Sequence, residues 1–335
     1  MKKVLVTGIS GYIGQHVALE LLEKGFAVKG SVRDLARKEE VLSGIKTVID
    51  PKENLEFTKL DLLEDEGWAD ALEDCDYLLH VASPFITSEP KDENILIKPA
   101  LEGTLRALKA AKAANVKKVV LTSSIVAMLG DADKDIDVNQ SSWTNVQAPK
   151  VTAYLKSKTL AEQAAWDFIE NQKGQKMEMV TIHPGPVYGP SLNGNLTGES
   201  MRLFKDMLTG NVPMLPDSGM NISDVRDVAK IHVAAIENEE ANGKRFLVAT
   251  EETHTFLEIA KMLKSNGYKK VNDKKAPAWL MRLMANFSRD MKGMKPYIGR
   301  IYNGDISATK EIFNYKPTAL KNTILDTAKA IEKLI

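Results

Sequence analysis

Short apolar runs alternate with helical patterns through the first half of the chain, and this alternation constrains the fold more than any other feature. Strands are predicted at residues 4–6, 27–32, 55–59, 77–80, 119–122 and 179–182, and helices at residues 16–24, 97–114 and 153–170. Strands that alternate with helices favour right-handed crossovers and a parallel sheet that is covered on both faces. The sequence therefore predicts an α/β fold with a doubly wound parallel sheet.

Three glycines, Gly8, Gly11 and Gly14, follow the first predicted strand at regular spacing. Between a strand and a helix, such glycines permit a tight turn, a close approach of backbone to a pyrophosphate, and packing of the helix on the strand. The start of the helix adds N–H groups and a partial positive charge. We favour this interpretation over an ordinary turn and predict a Rossmann-type fold whose cofactor contacts include Gly8, Ser10, Gly11, Tyr12, Ile13 and Gly14.

The end of the second predicted strand distinguishes between two dinucleotides. An acidic side chain there would bind the adenosine ribose of NAD, whereas a guanidinium suits the additional 2′-phosphate of NADP. The chain has Arg33 at this position and Arg37 four residues later. We predict NADP(H) as the cofactor and NAD(H) as the less favoured one; Asp34 keeps NAD open, and a solvated basic loop is the alternative. Asp61, after the third strand, is expected either to meet the adenine edge or to lie in a surface loop.

The pattern changes after about residue 184, where prolines break the chain into loops and short helices. A helix at 225–236 and a strand at 245–248 are predicted to return to the main sheet. We expect a dinucleotide-binding domain at 1–190, to which 222–250 and about 300–312 return. Residues 191–221 and 251–335 are expected to form mainly a smaller, interleaved C-terminal lobe that binds the substrate.

The composition excludes several classes of function. Lys and Arg together number 45, as do Asp and Glu, so no net charge draws the chain to nucleic acid or an anionic membrane. No signal-peptide pattern is visible, nor an apolar run of about eighteen residues. The single cysteine, Cys75, fits a reducing compartment, and the histidines show no metal-ligand spacing. We expect a cytoplasmic monomer or homodimer that binds neither nucleic acid, membrane nor metal.

Tyr154 and Lys158 lie four residues apart in a predicted helix, so they share one face, one turn apart. A phenol has a reference pKa of about 10, and an ammonium nearby favours its anion. The two side chains can therefore form an acid/base pair that works near neutral pH. In isolation this spacing more often marks two solvated side chains, so the interpretation depends on the glycine motif that precedes it.

Taken together, these residues resemble the extended short-chain dehydrogenase/reductase family, with further likeness at 80–84, 121–124, 183–190 and 224–229. The most similar branch contains dihydroflavonol reductases, cinnamoyl-CoA reductases and carbonyl (aldehyde) reductases. The resemblance implies that Ser124 is the catalytic hydroxyl, with Ser123 as the alternative, that Tyr154 is the acid/base and that Lys158 activates it. It also implies cofactor contacts by Arg33, Arg37, Asp61, Leu62, Val81, Ala82, Ser83, Tyr154, Lys158, Pro184, Gly185 and Val187.

The resemblance implies an NADPH-dependent oxidoreductase that reversibly reduces aldehyde or ketone carbonyls to alcohols. Two alternatives stay open: an NAD-dependent nucleotide-sugar epimerase or dehydratase, and a non-catalytic NADP-binding regulator. A medium-sized hydrophobic carbonyl compound is the expected substrate. An apolar helical stripe predicts either core packing or a pliable wall of the substrate pocket; it consists of Leu280, Met281, Leu283, Met284, Phe287, Met291 and Met294.

Overall fold

The computed structural model describes residues 1–84, 89–131, 136–149, 151–196, 198–216, 218–287, 293 and 295–335. The strands in this part of the chain are β1 (Lys3–Thr7), β2 (Ala27–Val32), β3 (Leu55–Lys59), β4 (Tyr77–His80), β5 (Lys118–Thr122), β6 (Ile136–Val138), β7 (Glu178–Pro184), β8 (Val187–Tyr188), β9 (Gly219–Asn221), β10 (Ser223–Asp224), β11 (Arg245–Val248), β12 (Thr253–Thr255) and β13 (Ile301–Gly304). The helices are α1 (Tyr12–Glu23), α2 (Lys38–Lys46), α3 (Trp68–Leu72), α4 (Asn94–Ala113), α5 (Ala153–Glu170), α6 (Glu199–Thr209), α7 (Val225–Glu237), α8 (Phe256–Ser265), α9 (Ala278–Met284), α10 (Ser307–Phe313) and α11 (Leu320–Glu332).

The central sheet is parallel throughout, with its strands in the order β11-β7-β5-β4-β1-β2-β3. The chain leaves β1 toward one edge through β2 and β3, then crosses back and builds the other half from β4 onward. The direction of winding therefore reverses between β1 and β4, and such reversals open a crevice at the carboxyl ends of the strands. The predicted α/β fold with a doubly wound parallel sheet is confirmed.

Alternate residues of β1 explain why helices cover both faces of the sheet. Val4 and Val6 are fully buried in a cluster with α1 and α7, whereas Leu5 is fully buried on the other face with α3 and α4. Successive side chains of a strand point to opposite faces, so a run of apolar residues needs a helix layer on each side. Full burial of each such side chain stabilises the fold by roughly 1.5–3 kcal/mol.

A smaller sheet and a third apolar cluster lie beside the main sheet. The strands of this sheet follow the order β12-β9-β13-β6, and β8 pairs separately with β10. Helices α6, α8 and α11 contribute Phe204, Leu263 and Ile324 to the third cluster, which also contains Tyr12 from the start of α1. Within the described residues, no helix is both long and apolar enough to cross a bilayer.

Two helices begin earlier than their apolar pattern suggests. The predicted start of the first helix was residue 16, but α1 begins at Tyr12, directly after an extended Gly11. Gly14 lies inside α1, where its helix-weakening effect hid the true start from the pattern. Likewise α4 begins at Asn94 rather than 97 and includes Pro99. Helix α5, by contrast, has the predicted bounds.

Candidate functional site

A cleft of about 1590 Å³ runs along the carboxyl ends of the main strands and continues toward the smaller cluster. It brings together residues that lie as far apart in the chain as Gly8 and Val187. Every residue predicted for the cofactor or for catalysis lines this cleft: Gly8, Ser10, Gly11, Tyr12, Ile13, Gly14, Arg33, Arg37, Asp61, Leu62, Val81, Ala82, Ser83, Ser124, Tyr154, Lys158, Pro184, Gly185 and Val187. Their individual roles stay predictions.

The glycine loop is shaped so that side chains are excluded from it. Gly8 has a φ of 68°, and a Cβ added there would lie 2.9 Å from the Cα of Ala82. A Cβ on Gly14 would lie 2.3 Å from the carbonyl oxygen of Gly8. Gly11 occupies the N-cap position of α1 and has no side chain that could satisfy the N–H groups of the first turn. The helix therefore presents these donors and its positive dipole end to the cleft, which fits the pyrophosphate of a dinucleotide.

Thr7 and His80 connect the two strands that border the crevice, and sequence reasoning missed this contact. The Thr7 hydroxyl lies 3.0 Å from Nδ1 of His80 and accepts a hydrogen bond from the Ala82 N–H at 3.1 Å. Burial, and then the nearby charge of Lys158, lower the pKa of His80 to about 4. His80 is thus neutral at physiological pH and serves to join β1 to the loop after β4.

The basic end of the cleft contains both predicted arginines. Arg33 is exposed, while Arg37 donates to Glu40 and, at 3.1 Å, to the hydroxyl of Ser10. Asp34, the residue that kept NAD open, accepts a hydrogen bond from the N–H of Ala36 at 2.9 Å and caps a short 3₁₀ turn. Asp34 therefore stabilises the local backbone of this loop. Glu40 was missed, although its three-residue spacing from Arg37 is a recognisable helical ion-pair signal.

The structure leaves both predicted interpretations of Asp61 open. It lines the cleft, and its carboxylate accepts a hydrogen bond from the N–H of Leu63 at 2.9 Å. Such a contact with the backbone two residues on is typical of an Asx turn, which shapes the loop after β3. The cleft position leaves the carboxylate's other lone pairs able to meet an adenine.

Helix α5 presents Tyr154 and Lys158 to the cleft. The helix begins at Ala153 because Thr152 accepts from the Leu155 N–H and Glu89 accepts from the Ala153 N–H at 2.9 Å. The two N–H donors, on Ala153 and Leu155, flank Tyr154, so these contacts anchor the backbone on both sides of it. Desolvation by burial lowers the pKa of Lys158 from 10.5 to about 8. The ammonium therefore titrates close to neutral pH.

The two adjacent serines at the end of β5 have different surroundings. Ser123 is 6% exposed and donates its hydroxyl to Glu162 at 2.6 Å. Ser124 is half-buried, and its hydroxyl accepts a long contact of 3.4 Å from the Val126 N–H at the start of a 3₁₀ turn. Both serines line the cleft, but the hydroxyl of Ser123 is committed to a buried carboxylate, whereas that of Ser124 has only a weak local contact. Glu162 itself was missed as a site residue.

The far end of the cleft is apolar. Leu280, Met281 and Met284 of the predicted stripe line it, and Met281 is also buried in a small cluster with Ala276. Leu283 and Phe287 are 49% and 85% exposed, so the stripe as a whole does not form a core. Met291 and Met294 lie outside the described residues. The other apolar side chains of this end come from residues 201–297 and include Met201, Leu203, Val212, Met214, Met220, Phe256 and Tyr297. In the described part of the chain, no three His, Cys, Asp or Glu side chains are grouped as a metal site.

The fold and the cleft define a dinucleotide-binding α/β protein of the extended short-chain dehydrogenase/reductase type, and comparison with known proteins agrees. The family model described as the NAD dependent epimerase/dehydratase family matches residues 4–249. The chain belongs to this family, which corresponds to the extended short-chain dehydrogenase/reductase family that the sequence predicted.

Several relatives are named reductases. Cinnamoyl-CoA reductase CAD2 of Medicago truncatula is 35% identical over 267 residues, which cover 78% of this chain and 79% of that protein. The NADPH-dependent methylglyoxal reductase GRE2 of Saccharomyces cerevisiae is 29% identical and covers 98% of both chains. Among solved structures, Gre2 from Candida albicans in complex with NADPH has a TM-score of 0.79 at 27% identity and covers 99% of both chains.

Proposed function

We propose that this protein uses NADPH to reduce aldehyde or ketone carbonyls to alcohols in a reversible reaction. The predicted class, an NADP-dependent oxidoreductase, is confirmed by the reductase relatives, several of which are named for NADPH. The observation that carries the proposal is the placement of Tyr154, Lys158 and Ser124 in the same cleft as the glycine loop. An acid/base pair, a hydroxyl donor and a dinucleotide cradle are the groups that carbonyl reduction requires of a protein.

The residues of the cleft fit an NADP(H) molecule along its length. The glycine loop and the start of α1 would hold the pyrophosphate, and Arg33 with Arg37 would hold the 2′-phosphate. Asp61 and Leu62 would border the adenine, while Val81 to Ser83 and the turn from Pro184 to Val187 would enclose the nicotinamide half. When bound, this cofactor supplies the hydride.

The side chains of α5 and β5 manage the proton and the carbonyl oxygen. Tyr154 donates its phenolic proton to the carbonyl oxygen as that oxygen gains negative charge. The Lys158 ammonium, one helical turn away, stabilises the phenolate that is left and so lowers the phenol pKa. Ser124 donates a hydrogen bond to the same oxygen and orients it. Because the Ser123 hydroxyl already donates to Glu162, we assign this role to Ser124 and not to Ser123.

The apolar end of the cleft supports the predicted division of labour between the two parts of the chain. We infer that 1–190, with 222–250 and about 300–312, form the dinucleotide-binding part, and that 191–221 and 251–335 mainly bind the substrate. Methionines are prominent among the lining residues of the second part, and their flexible side chains adapt to varied shapes. A medium-sized hydrophobic aldehyde, ketone or diketone fits such a surface. We further propose a cytoplasmic location and a monomeric or homodimeric state, which chromatography with light scattering would resolve.

The test is consumption of NADPH and of NADH by purified protein across a panel of aldehydes, ketones and dihydroflavonols. We expect turnover with several hydrophobic carbonyls and a clear preference for NADPH. A protein that retains a nicotinamide cofactor through gel filtration and converts nucleotide sugars would instead be an epimerase. A protein that binds NADPH and turns over no carbonyl compound would be a regulator, and either result would overturn the proposal.

A further inference from the structure

Glu162 occupies the same face of α5 as the acid/base pair, one turn after Lys158 and two turns after Tyr154. Its side chain is 1% exposed, and it is not among the residues that line the cleft. Five side chains donate hydrogen bonds to this carboxylate: Ser123, Trp166, Thr181, His183 and Arg245. A buried carboxylate with so many donors is an unusual concentration of polar contacts in the interior of a domain.

Apart from Trp166 of α5 itself, the donors come from β7, from β11 and from the residue after β5, and two of them directly precede residues of the cleft. Ser123 lies 2.6 Å from the carboxylate and is followed by Ser124 at the end of β5. The Nε2 of His183 lies 2.8 Å from it and is followed by Pro184 at the end of β7. Glu162 therefore joins α5 to the two strand ends from which the cleft residues project.

Arg245 supplies the compensating charge from the edge strand β11. Its Nε lies 2.7 Å from the Glu162 carboxylate, and its guanidinium stacks 3.7 Å from the centre of the Trp143 ring. The carbonyl oxygens of Gln140 and Ser142 accept from the same guanidinium. Because Arg245 is fixed by these further contacts, it holds the Glu162 carboxylate in one position.

The charge state of Glu162 follows from these partners. Burial alone would raise its pKa, but the charge and hydrogen bonds of His183 and Arg245 hold the pKa well below its usual range. An ionised carboxylate only accepts hydrogen bonds, so Ser123 and Nε2 of His183 are the donors in their contacts. Charge-assisted hydrogen bonds are short and strong, which suits a role in fixing geometry.

We propose that Glu162 is a positioning residue: through Ser123 and His183, its carboxylate sets Ser124 and Pro184 relative to Tyr154 and Lys158. This inference rests on the proposed reductase function and adds a residue that acts behind the cleft. Misplacement of a reacting group by about 1 Å can lower a rate on the order of 100-fold, so the effect should appear in kcat.

Removing Glu162 itself would leave the buried Arg245 guanidinium without its carboxylate partner, and such a variant can fail to fold. Ser123→Ala is the sharper test, because it removes the side-chain link between the end of β5 and Glu162 and leaves the carboxylate paired with His183 and Arg245. Thr181→Val is the matched control, since Thr181 donates to the same carboxylate at 3.2 Å from the interior of β7 and does not line the cleft. Both variants delete one buried hydroxyl contact, so their stabilities should fall by similar amounts.

For each variant, kcat, KM, the Kd of NADPH and the melting temperature are measured. We expect kcat of Ser123→Ala to fall roughly 10-fold, with KM and the NADPH Kd within about two-fold, and kcat of Thr181→Val to stay within about two-fold. Equal kcat values in the two variants would overturn the positioning role alone. A larger loss in Ser123→Ala than in Ser124→Ala would make Ser123 the reacting hydroxyl and would also overturn it. A wild-type protein without carbonyl turnover would overturn the proposed function first, and this inference with it.

Discussion

The guanidinium of Arg37 meets the carboxylate of Glu40 at both oxygens, from Nε and from Nη2, each at 3.0 Å. Its remaining nitrogen donates to Ser10 of the glycine loop, and Asn193 donates to the same Glu40 carboxylate at 2.8 Å. The Arg37 and Glu40 side chains are 40% and 39% exposed, so their pairing is worth about 0–1 kcal/mol. A 2′-phosphate bound as proposed would be a stronger acceptor, and Glu40 would compete with it for Arg37.

Glu40→Gln should therefore tighten NADPH binding. Loss of the competing charge releases Arg37, and we expect the NADPH Kd to fall by about two- to five-fold. NADH has no 2′-phosphate, so its Kd should not change. The opposite variant, Arg37→Gln, should weaken NADPH roughly 10-fold and leave NADH unaffected. Fluorescence titration with both nucleotides measures these constants. Weaker NADPH binding by Glu40→Gln would mean that Glu40 orients Arg37 instead of competing for it.

Tyr154→Phe should remove nearly all turnover while the NADPH Kd stays within a few-fold. The variant keeps the ring and loses only the proton donor, and general acid catalysis contributes on the order of 10²–10⁴-fold to rates. Tyr268→Phe is the matched control, because the Tyr268 hydroxyl donates to Glu332 at the surface, away from the cleft. Steady-state NADPH oxidation gives both kcat values. Substantial activity in Tyr154→Phe would show that another group supplies the proton.

The pKa of Lys158, lowered by burial to about 8, predicts an alkaline limit to activity. Below that pH the ammonium is charged and supports Tyr154; as pH rises through about 8 it loses its proton, and kcat/KM should decline. Lys158→Arg keeps its charge throughout this range, so whatever activity it retains should continue to higher pH. The pH profile of kcat/KM reports groups of the free enzyme and is the appropriate measurement. A wild-type profile that is flat up to pH 9.5, about 1.5 units above this pKa, would contradict the assignment.

The residues that local spacing could reveal are those whose partners are close in sequence. Gly8 and Gly14 are six residues apart in the chain. Tyr154 and Lys158 are one helical turn apart. Spacing alone therefore predicted that each of these two pairs lies close together. The cap of Thr152 on Leu155 is local in the same way, which explains why the bounds of α5 agreed.

Contacts between distant strands could not be predicted in this way. Glu162 meets Ser123, His183 and Arg245 across separations of 39, 21 and 83 residues. These partners come together only because β5, β7 and β11 are neighbours in the sheet, and strand order is not encoded in local periodicity. The joining of Thr7 to His80 has the same origin. The family resemblance supplied positions for the reacting residues, but it said nothing about the groups that hold them.

Three of the four buried histidines should make the fold sensitive to mild acid. Burial lowers the pKa values of His16, His80 and His232 from 6.5 to about 4. In His232 both ring nitrogens are engaged as in the neutral form: Nδ1 donates to the Val228 carbonyl at 2.8 Å, and Nε2 accepts from the Thr122 hydroxyl at 2.7 Å. Between pH 6.5 and 4 the unfolded chain therefore binds up to three more protons than the folded one, and stability falls as pH decreases through this window. Near pH 5 these three groups should contribute a slope on the order of 4 kcal/mol per pH unit, measurable by urea unfolding at a series of pH values. His232→Gln should reduce that slope by about one third; an unchanged slope would show that His232 is already protonated in the folded state.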